Sequence, residues 1–210
     1  MSLRERKKLQ TRRRIADVAV ELFVARGFDQ VTITEVAAAA EVSVNTVYNY
    51  FTCKEDLVLP PDEASARRLA DIVLERPIGQ SAAGAVLTRL REEVRRCDRS
   101  VGLTEGFGQV LQMMRGAPTL TARLEDLGRE MTAVLTSALA EETEAAPDDP
   151  LPRVVAWHLG SLHSLVYAEV ARRTTLGESP QTISAAVLDL LDGVEELFGE
   201  RLLAYAVRRG

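Results

Sequence analysis

Hydrophobic positions recur at helical spacing along most of the 210-residue chain, and no alternation of apolar and polar residues is long enough for a sheet. The pattern predicts an all-α protein. Ile15, Val18, Ala19, Leu22 and Phe23 follow the i, i+3, i+4, i+7 rule over a helix from Lys8 to Arg26, which Gly27 is placed to end in a left-handed conformation. Thr32 and Glu35 have the spacing of a capping box and predict a short second helix running through Ala40. Beyond Glu41 and Val42, Ser43 is a good N-cap for a third helix carrying Val47, Tyr48 and Phe51. Thr52-Cys53-Lys54-Glu55-Asp56 reads as a fourth start, with a hydroxyl at the cap and acids where the helix dipole favours them. Pro60 and Pro61 cannot donate backbone hydrogen bonds, so that helix is expected to be short or to restart near Asp62.

Farther along, Leu87, Leu90, Val94 and Cys97 share one face of a helix. Leu120, Leu124, Leu127, Met131 and Val134 share another, on a helix that begins at Pro118, and the prolines at 147, 150 and 152 mark a loop. Residues 153–173 carry two stripes: Val155, Leu159, Leu162, Val166 and Val170 on one, Val154, Trp157, Ser161, Leu165 and Ala168 on the other. A helix apolar on two faces must be covered on both. Ile183, Val187, Leu190, Val194 and Leu197 repeat at 4-3-4-3 spacing, as lengthwise packing on another helix requires. The pair suggests a dimer interface in which Gly160, Ser161, Ser164 and Gly193 permit close approach; the alternative is that both helices are central to a monomeric bundle.

Charge sharpens this picture. The formal net charge is −5, yet the first fourteen residues hold seven cations (Arg4, Arg6, Lys7, Lys8, Arg12, Arg13, Arg14) and one acid, a local +6 that leaves −11 for the rest. One end is therefore suited to a polyanion and the remainder repels it, although a basic tail can also be merely solvated. The two cysteines, Cys53 and Cys97, are too few for a disulfide framework or a cysteine zinc site. No apolar run reaches membrane-spanning length and the first residues are charged where a signal peptide is apolar, so a cytoplasmic protein without a membrane partner is expected.

Two short capped helices separated by Glu41-Val42-Ser43 have the form of a helix-turn-helix, whose second helix enters the major groove. Val47 and Phe51 should face a core with Val36, Ala37, Leu22 and Phe23, leaving Val44, Asn45, Tyr48 and Asn49 outward. Asn can pair bidentately with adenine, Val can touch a thymine methyl, and Tyr and Thr hydroxyls can donate to phosphate. Lys54 places a cation at a helix start, a phosphate-binding arrangement. Short capped helices with exposed Asn and Tyr also occur in proteins that do not bind DNA.

From Leu9 to Leu57, the order and spacing of Arg12-Arg-Arg-Ile, Leu22-Phe, Gly27-Phe, Thr32-Ile-Thr-Glu-Val-Ala, Tyr48-Asn-Tyr-Phe and Lys54-Glu-Asp-Leu resemble the DNA-binding domain of the TetR (AcrR-like) family of repressors. Glu41 stands where that family usually has Gly at the turn, and Cys53 where Ser is common. The resemblance implies a three-helix DNA-binding domain over residues 1–57 and a helical effector-binding and dimerisation bundle over 58–210. It implies phosphate contacts from Tyr48 and Lys54, a cap near the DNA backbone at Thr32, base reading by Val44, Asn45 and Asn49, and either role for Thr46. Ser43 and Tyr50 complete that surface, and Arg12 and Arg13 belong to an arm lying along the DNA or entering the minor groove. The implied partners are a palindromic double-stranded operator, a second copy of the chain, and a small-molecule effector that releases the DNA.

The expected effector is apolar or amphipathic, held among segments 80–99, 103–116, 118–143 and 153–173 by Phe107, Leu111, Met114, Leu127, Met131, Trp157, His158 and Tyr167; these side chains can equally fill a core. His158 and His163 are five apart, off the spacing a helical metal site uses, and no cofactor is expected. Gly102, Gly106 and Gly108 lack the Lys of a phosphate loop and mark a helix boundary. Cys53 beside Lys54 is a candidate redox sensor, whereas Cys97 sits on an apolar stripe. A small helical enzyme and an adaptor without a DNA role remain open; the first lacks a visible catalytic constellation, and the second leaves the arm unexplained.

Overall fold

A computed structural model describes residues 3–58 and 65–210, and every described element is helical. The expectations for the linker, Pro60, Pro61 and a restart near Asp62, lie outside the described residues. The chain divides into two compact units: residues up to 58 with Gly108–Glu125, and Ser65–Phe107 with Asp126–Gly210.

In the first unit α1 spans Leu3–Arg26, longer than the periodicity predicts because Leu, Arg, Lys, Glu and Gln continue it back through the basic arm. Ile15, Ala16, Ala19 and Phe23 are its buried face. It stops at Gly27, whose φ of +89° suits glycine alone, with the Gly27 N–H on the Phe23 carbonyl at 2.8 Å. The capping box forms as expected: Glu35 N–H donates to Thr32 Oγ1 at 3.2 Å and the Thr32 N–H to Glu35 Oε2 at 2.8 Å, opening α2 (Ile33–Ala39). The Thr32 backbone N–H, the Arg26 guanidinium and the Thr32 hydroxyl together hold the Glu35 carboxyl down at about 2.

Ser43 caps α3 (Val44–Tyr50). Between the two helices Glu41 takes the left-handed conformation, φ +53°, at the position where the resemblance expects glycine. A side chain with a Cβ is strained there by about 1–2 kcal/mol, and glycine returns part of that as lost backbone entropy. Glu41→Gly is therefore expected to stabilise the protein by about 0.5–1 kcal/mol, read as a rise of about 2 °C in melting temperature; a fall would show that the Glu41 side chain supports the turn.

The core of this unit joins Phe23, Phe28, Val31, Val36, Val47, Phe51 and Leu57 to Ala117 and Leu120, with Val110, Met113 and Met114 packed against it. The last five come from α6 (Phe107–Arg115), α7 (Pro118–Glu142) and the turn between them, and Arg123 of α7 pairs with Asp56 at 2.9 Å. The division expected at 57/58 thus differs from the packing, because apolar residues from beyond residue 107 complete the first core. The fourth start is one 3₁₀ turn, Glu55–Leu57, with no side-chain cap, so Thr52 does not do what its position suggests.

The second unit contains α4 (Arg68–Leu74), α5 (Ala82–Arg95), a 3₁₀ turn at Arg99–Val101, the rest of α7, α8 (Leu151–Thr175), α9 (Pro180–Leu197) and α10 (Glu200–Leu203). α5 packs on α4 and α9, and α8 on α9. Its core includes Leu87, Leu90, Val94, Leu135, Leu139, Leu159, Val166, Ile183, Val187 and Leu191. Cys97 departs from expectation: α5 ends at Arg95, and Cys97 lies past it at φ +47°, half-buried, with Sγ 3.7 Å from the Pro180 carbonyl. Buried Arg76 bonds Glu142 and the carbonyls of Val73, Gln80 and Ala206, while the Arg208 N–H reaches the Gln80 carbonyl at 3.0 Å, so the C-terminal tail is tied back to the α4–α5 connection.

On α8 the two stripes separate as the pattern requires. Val155, Leu159, Leu162, Val166 and Val170 are buried, whereas Val154, Trp157, Ser161, Leu165 and Ala168 are exposed. A Cβ on Gly160 would stand 2.6 Å from Thr132 Oγ1, so its smallness lets α7 approach α8. A Cβ on Gly193 would meet nothing within 4 Å.

Candidate nucleic-acid interface

α3 is held by its underside. Val47 and Phe51 are buried, half-buried Val44 and Tyr50 pack against the same core, and Asn45, Tyr48 and Asn49 stand out, Tyr48 being 56% exposed. Val44 and Tyr50 are thus partly anchors rather than fully outward residues. The hydroxyls of Ser43 and Thr46 are 2.8 Å apart, and Ser43 Oγ accepts from the Thr46 N–H at 3.0 Å, so both fix the start of the helix. Thr32 spends its hydroxyl on Glu35 in the same way.

The cations are distributed unevenly. Between residues 15 and 58 the only basic side chains are Arg26 and Lys54, against seven acids. Arg26 pairs with Glu35 at 2.7 Å. Lys54 donates to the Phe28 carbonyl at 2.6 Å, with Nζ 4.3 Å from the Phe28 ring centroid and 5.5 Å from that of Phe23. The spacing that suggested a phosphate ligand did not reveal this internal use, because the partner is a carbonyl 26 residues away. Lys54→Met is expected to lower stability by about 2 kcal/mol through the lost charged hydrogen bond and ring contact. A variant that melts like the parent but binds DNA less well would assign the ammonium to phosphate instead.

α3 itself bears no charge. The remaining cations of this unit's first 58 residues are those of the arm, now the opening turns of α1. Arg12 is half-buried with its guanidinium 5.5 Å from the Phe51 ring centroid, joining the arm to the foot of α3, and Arg13 is exposed. The surface therefore offers two amides and a phenol on a protruding helix, with guanidinium and ammonium groups on a second helix. That combination can read base edges with neutral groups and hold phosphates with charged ones.

Comparison with known proteins agrees with this geometry. Residues 15–59 match the sequence model of the bacterial regulatory proteins, tetR family. Over 208 residues, 94% of this chain and 89% of the relative, the sequence is 27% identical to the HTH-type transcriptional regulator TcmR of Streptomyces glaucescens. Residues 15–59 are thus similar to the DNA-binding part of TetR-family regulators, and the chain is similar along most of its length to one HTH-type regulator. A second member-like match, the HTH-type transcriptional regulator LuxR of Vibrio harveyi, is 40% identical over 50 residues, 24% of each chain. NalD, the secondary repressor of the MexAB-OprM multidrug efflux pump in Pseudomonas aeruginosa, has the same fold, with a TM-score of 0.51 at 18% identity over 89% of this chain and 96% of that one. TcmR and LuxR are both HTH-type transcriptional regulators, and the matched residues 15–59 contain the two short capped helices α2 and α3.

The residues expected to hold an effector fall in both units. Leu111 and Met114 lie in the first unit, Met114 against its core. Phe107 covers the backbone of Gly102, where a Cβ would come within 2.5 Å of its ring. Leu127 and Met131 are buried on α7. Trp157 is 63% exposed, and its neighbour His158 bonds the Val154 carbonyl and stacks edgewise on both Trp157 and Phe198, so this pair faces outward. Tyr167 donates its hydroxyl to the Ser100 carbonyl. What periodicity could not find is a polar group inside the second unit: Arg68, Glu93, Ser100 and His163, all buried.

Cys53 is not an activated thiol. Burial pushes it above its usual range, and the nearby Asp56 and Glu55 charges oppose the thiolate, while Lys54 is turned to Phe28. Among the described residues no group of three or more His, Cys, Asp and Glu is placed to hold a metal ion, and no helix is long and apolar enough to cross a membrane.

Proposed function

We propose that this chain is a TetR-family transcriptional regulator, a homodimeric repressor that grips a palindromic operator with two copies of α3 and releases it when a small molecule occupies the helical unit. The observation that carries the reading is the division of labour on the first unit: Asn45, Tyr48 and Asn49 project from an uncharged helix, and the exposed cations lie on α1. A twofold axis would set the two reading helices about 34–36 Å apart, one turn of B-DNA. The exposed stripe of α8 supplies the apolar face that such a pairing needs.

An effector acts by preferring a dimer whose reading helices are wrongly spaced, and DNA affinity then falls by the factor by which DNA weakens the effector. α7 suits the transmission. It is one continuous helix whose first turns, with Leu120 and Arg123, belong to the DNA-binding unit and whose later turns, with Leu127 to Leu139, belong to the other.

Fluorescence anisotropy against the DNA upstream of the protein's own coding sequence tests the reading. Tight binding that weakens with salt is expected. Asn45→Ala should relax the choice of base at one position of each half-site by about 1–3 kcal/mol, whereas Tyr48→Phe should weaken all sites alike. Binding that ignores salt, or equal loss across all sequences for both variants, would overturn it.

A further inference from the structure

Buried polar side chains come together at one place in the second unit. Arg68 opens α4, Glu93 is on α5, Ser100 is in the 3₁₀ turn, and His163 and Tyr167 are one turn apart on α8. Arg68 Nη2 donates to Glu93 at 2.7 Å, and Arg89 Nε donates to the other carboxylate oxygen at 2.8 Å. Tyr167 donates to the Ser100 carbonyl, and its ring centroid lies 4.7 Å from that of His163. Asp98 accepts from the Ser100 N–H at 3.0 Å. Burial raises its carboxyl, but the Ser100 backbone N–H and the Arg96 and Arg68 charges hold it below its ordinary range.

Three atoms of this group, Arg68 Nε, Ser100 Oγ and His163 Nε2, are shut off from solvent and have no hydrogen-bond partner among the described residues, on residues 7%, 3% and 7% exposed. Buried polar atoms are almost always paired, so three unpaired ones at one locus call for a partner that the described residues do not provide. Their chemistry limits that partner. Arg Nε–H is a donor only, Ser Oγ–H donates, and a neutral imidazole can present an N–H at Nε2. Burial and the Arg68 charge keep His163 neutral, with its pKa down at about 3. Around them Arg68, Arg89 and Arg96 outnumber Glu93 and Asp98 by one charge.

Resting on the reading of this unit as the effector-binding one, we propose that Arg68, Ser100 and His163 form the polar end of the effector site and receive a carboxylate of the effector. The guanidinium and the hydroxyl take one oxygen each and the imidazole N–H shares one of them, while Glu93 holds Arg68 in position. The expected effector is then an organic acid rather than a purely apolar molecule.

The test uses the full-length protein, labelled with ¹⁵N at histidine, with benzoate as the probe and methyl benzoate as its uncharged counterpart. Benzoate is expected to move the His163 Nε2 resonance saturably, and the ester to leave it in place. Ser100→Ala should weaken benzoate at least about tenfold, the loss of one hydrogen bond to a charged group. Arg68→Gln should abolish the response, but it also removes a partner of Glu93, so Ser100→Ala with its melting temperature measured alongside is the decisive variant. An unmoved His163 resonance, an equal response to the ester, an unchanged affinity in a folded Ser100→Ala protein, or a crystal structure of the benzoate-treated protein with only a water among the three atoms would each overturn the proposal. If benzoate fails while unliganded protein still binds operator DNA, this inference falls and the regulator stands; loss of operator binding itself would bring down the reading beneath it.

Discussion

With Leu165 replaced by glutamate, the protein is expected to run as a monomer and to lose two orders of magnitude or more in operator affinity. Leu165 is 43% exposed on a face shared with Val154 and Trp157, while the opposite face of α8 is fully buried. A contiguous apolar stripe of this kind marks an interaction surface, and in a twofold contact every substitution appears twice. Each Leu165→Glu removes about 1.5–3 kcal/mol of apolar burial and adds a carboxylate that has no partner. Operator affinity follows because two linked reading helices gain about 10²–10⁴ over one through effective concentration. Light scattering after size exclusion gives the mass. Trp157, the single tryptophan, reports independently, since its emission should shift to the red when its covering partner is lost. A Leu165→Glu protein that remains dimeric would move the interface elsewhere and leave the stripe without a role.

Much of the fold was legible because its signals are local. The capping box at Thr32, the cap at Ser43, the glycine stop at Gly27 and the two faces of α8 each depend on residues within one or two turns, and each forms as read. Long-range packing was not legible in the same way. No spacing in the sequence states that Ala117 and Leu120 complete a core begun at Ile15, or that Gly160 is small for the sake of Thr132. Cys97 illustrates the limit within one element: it continues the apolar stripe of α5 in phase, but α5 stops two residues earlier.

The candidate DNA surface divides along the same line. Asn45, Tyr48 and Asn49 project because Val47 and Phe51 are four apart and buried, which periodicity states. The commitment of Lys54 to Phe28 and the stacking of Arg12 on Phe51 are tertiary contacts that a motif cannot express. In the second unit, apolar and aromatic residues were the readable signal. Arg68, Glu93, Ser100 and His163 were hidden because charged residues in a sequence are expected at the surface, and their burial exists only once four elements meet.

Replacing Arg6, Lys7, Lys8 and Arg13 together by glutamine is expected to flatten the salt dependence of DNA binding without destabilising the protein. These four side chains are exposed on α1. Each phosphate neutralised contributes about 0.9 to the slope of log K against log salt, so losing four cations from each of two protomers lowers the slope by up to about 7, with an affinity loss of about three orders of magnitude at low salt. No comparable source of phosphate contacts exists between residues 15 and 58, where Arg26 is paired with Glu35 and Lys54 is bonded to Phe28. Stability should move the other way. Of the four, Arg6, Lys7 and Lys8 occupy the first two turns of α1, where the helix dipole disfavours cations by a few tenths of a kcal/mol each. Their presence works against the helix that carries them, and neutralising them should leave the melting temperature unchanged or slightly higher while binding collapses. A slope that stays as steep would remove the arm from the phosphates, and a lower melting temperature would make the cations structural.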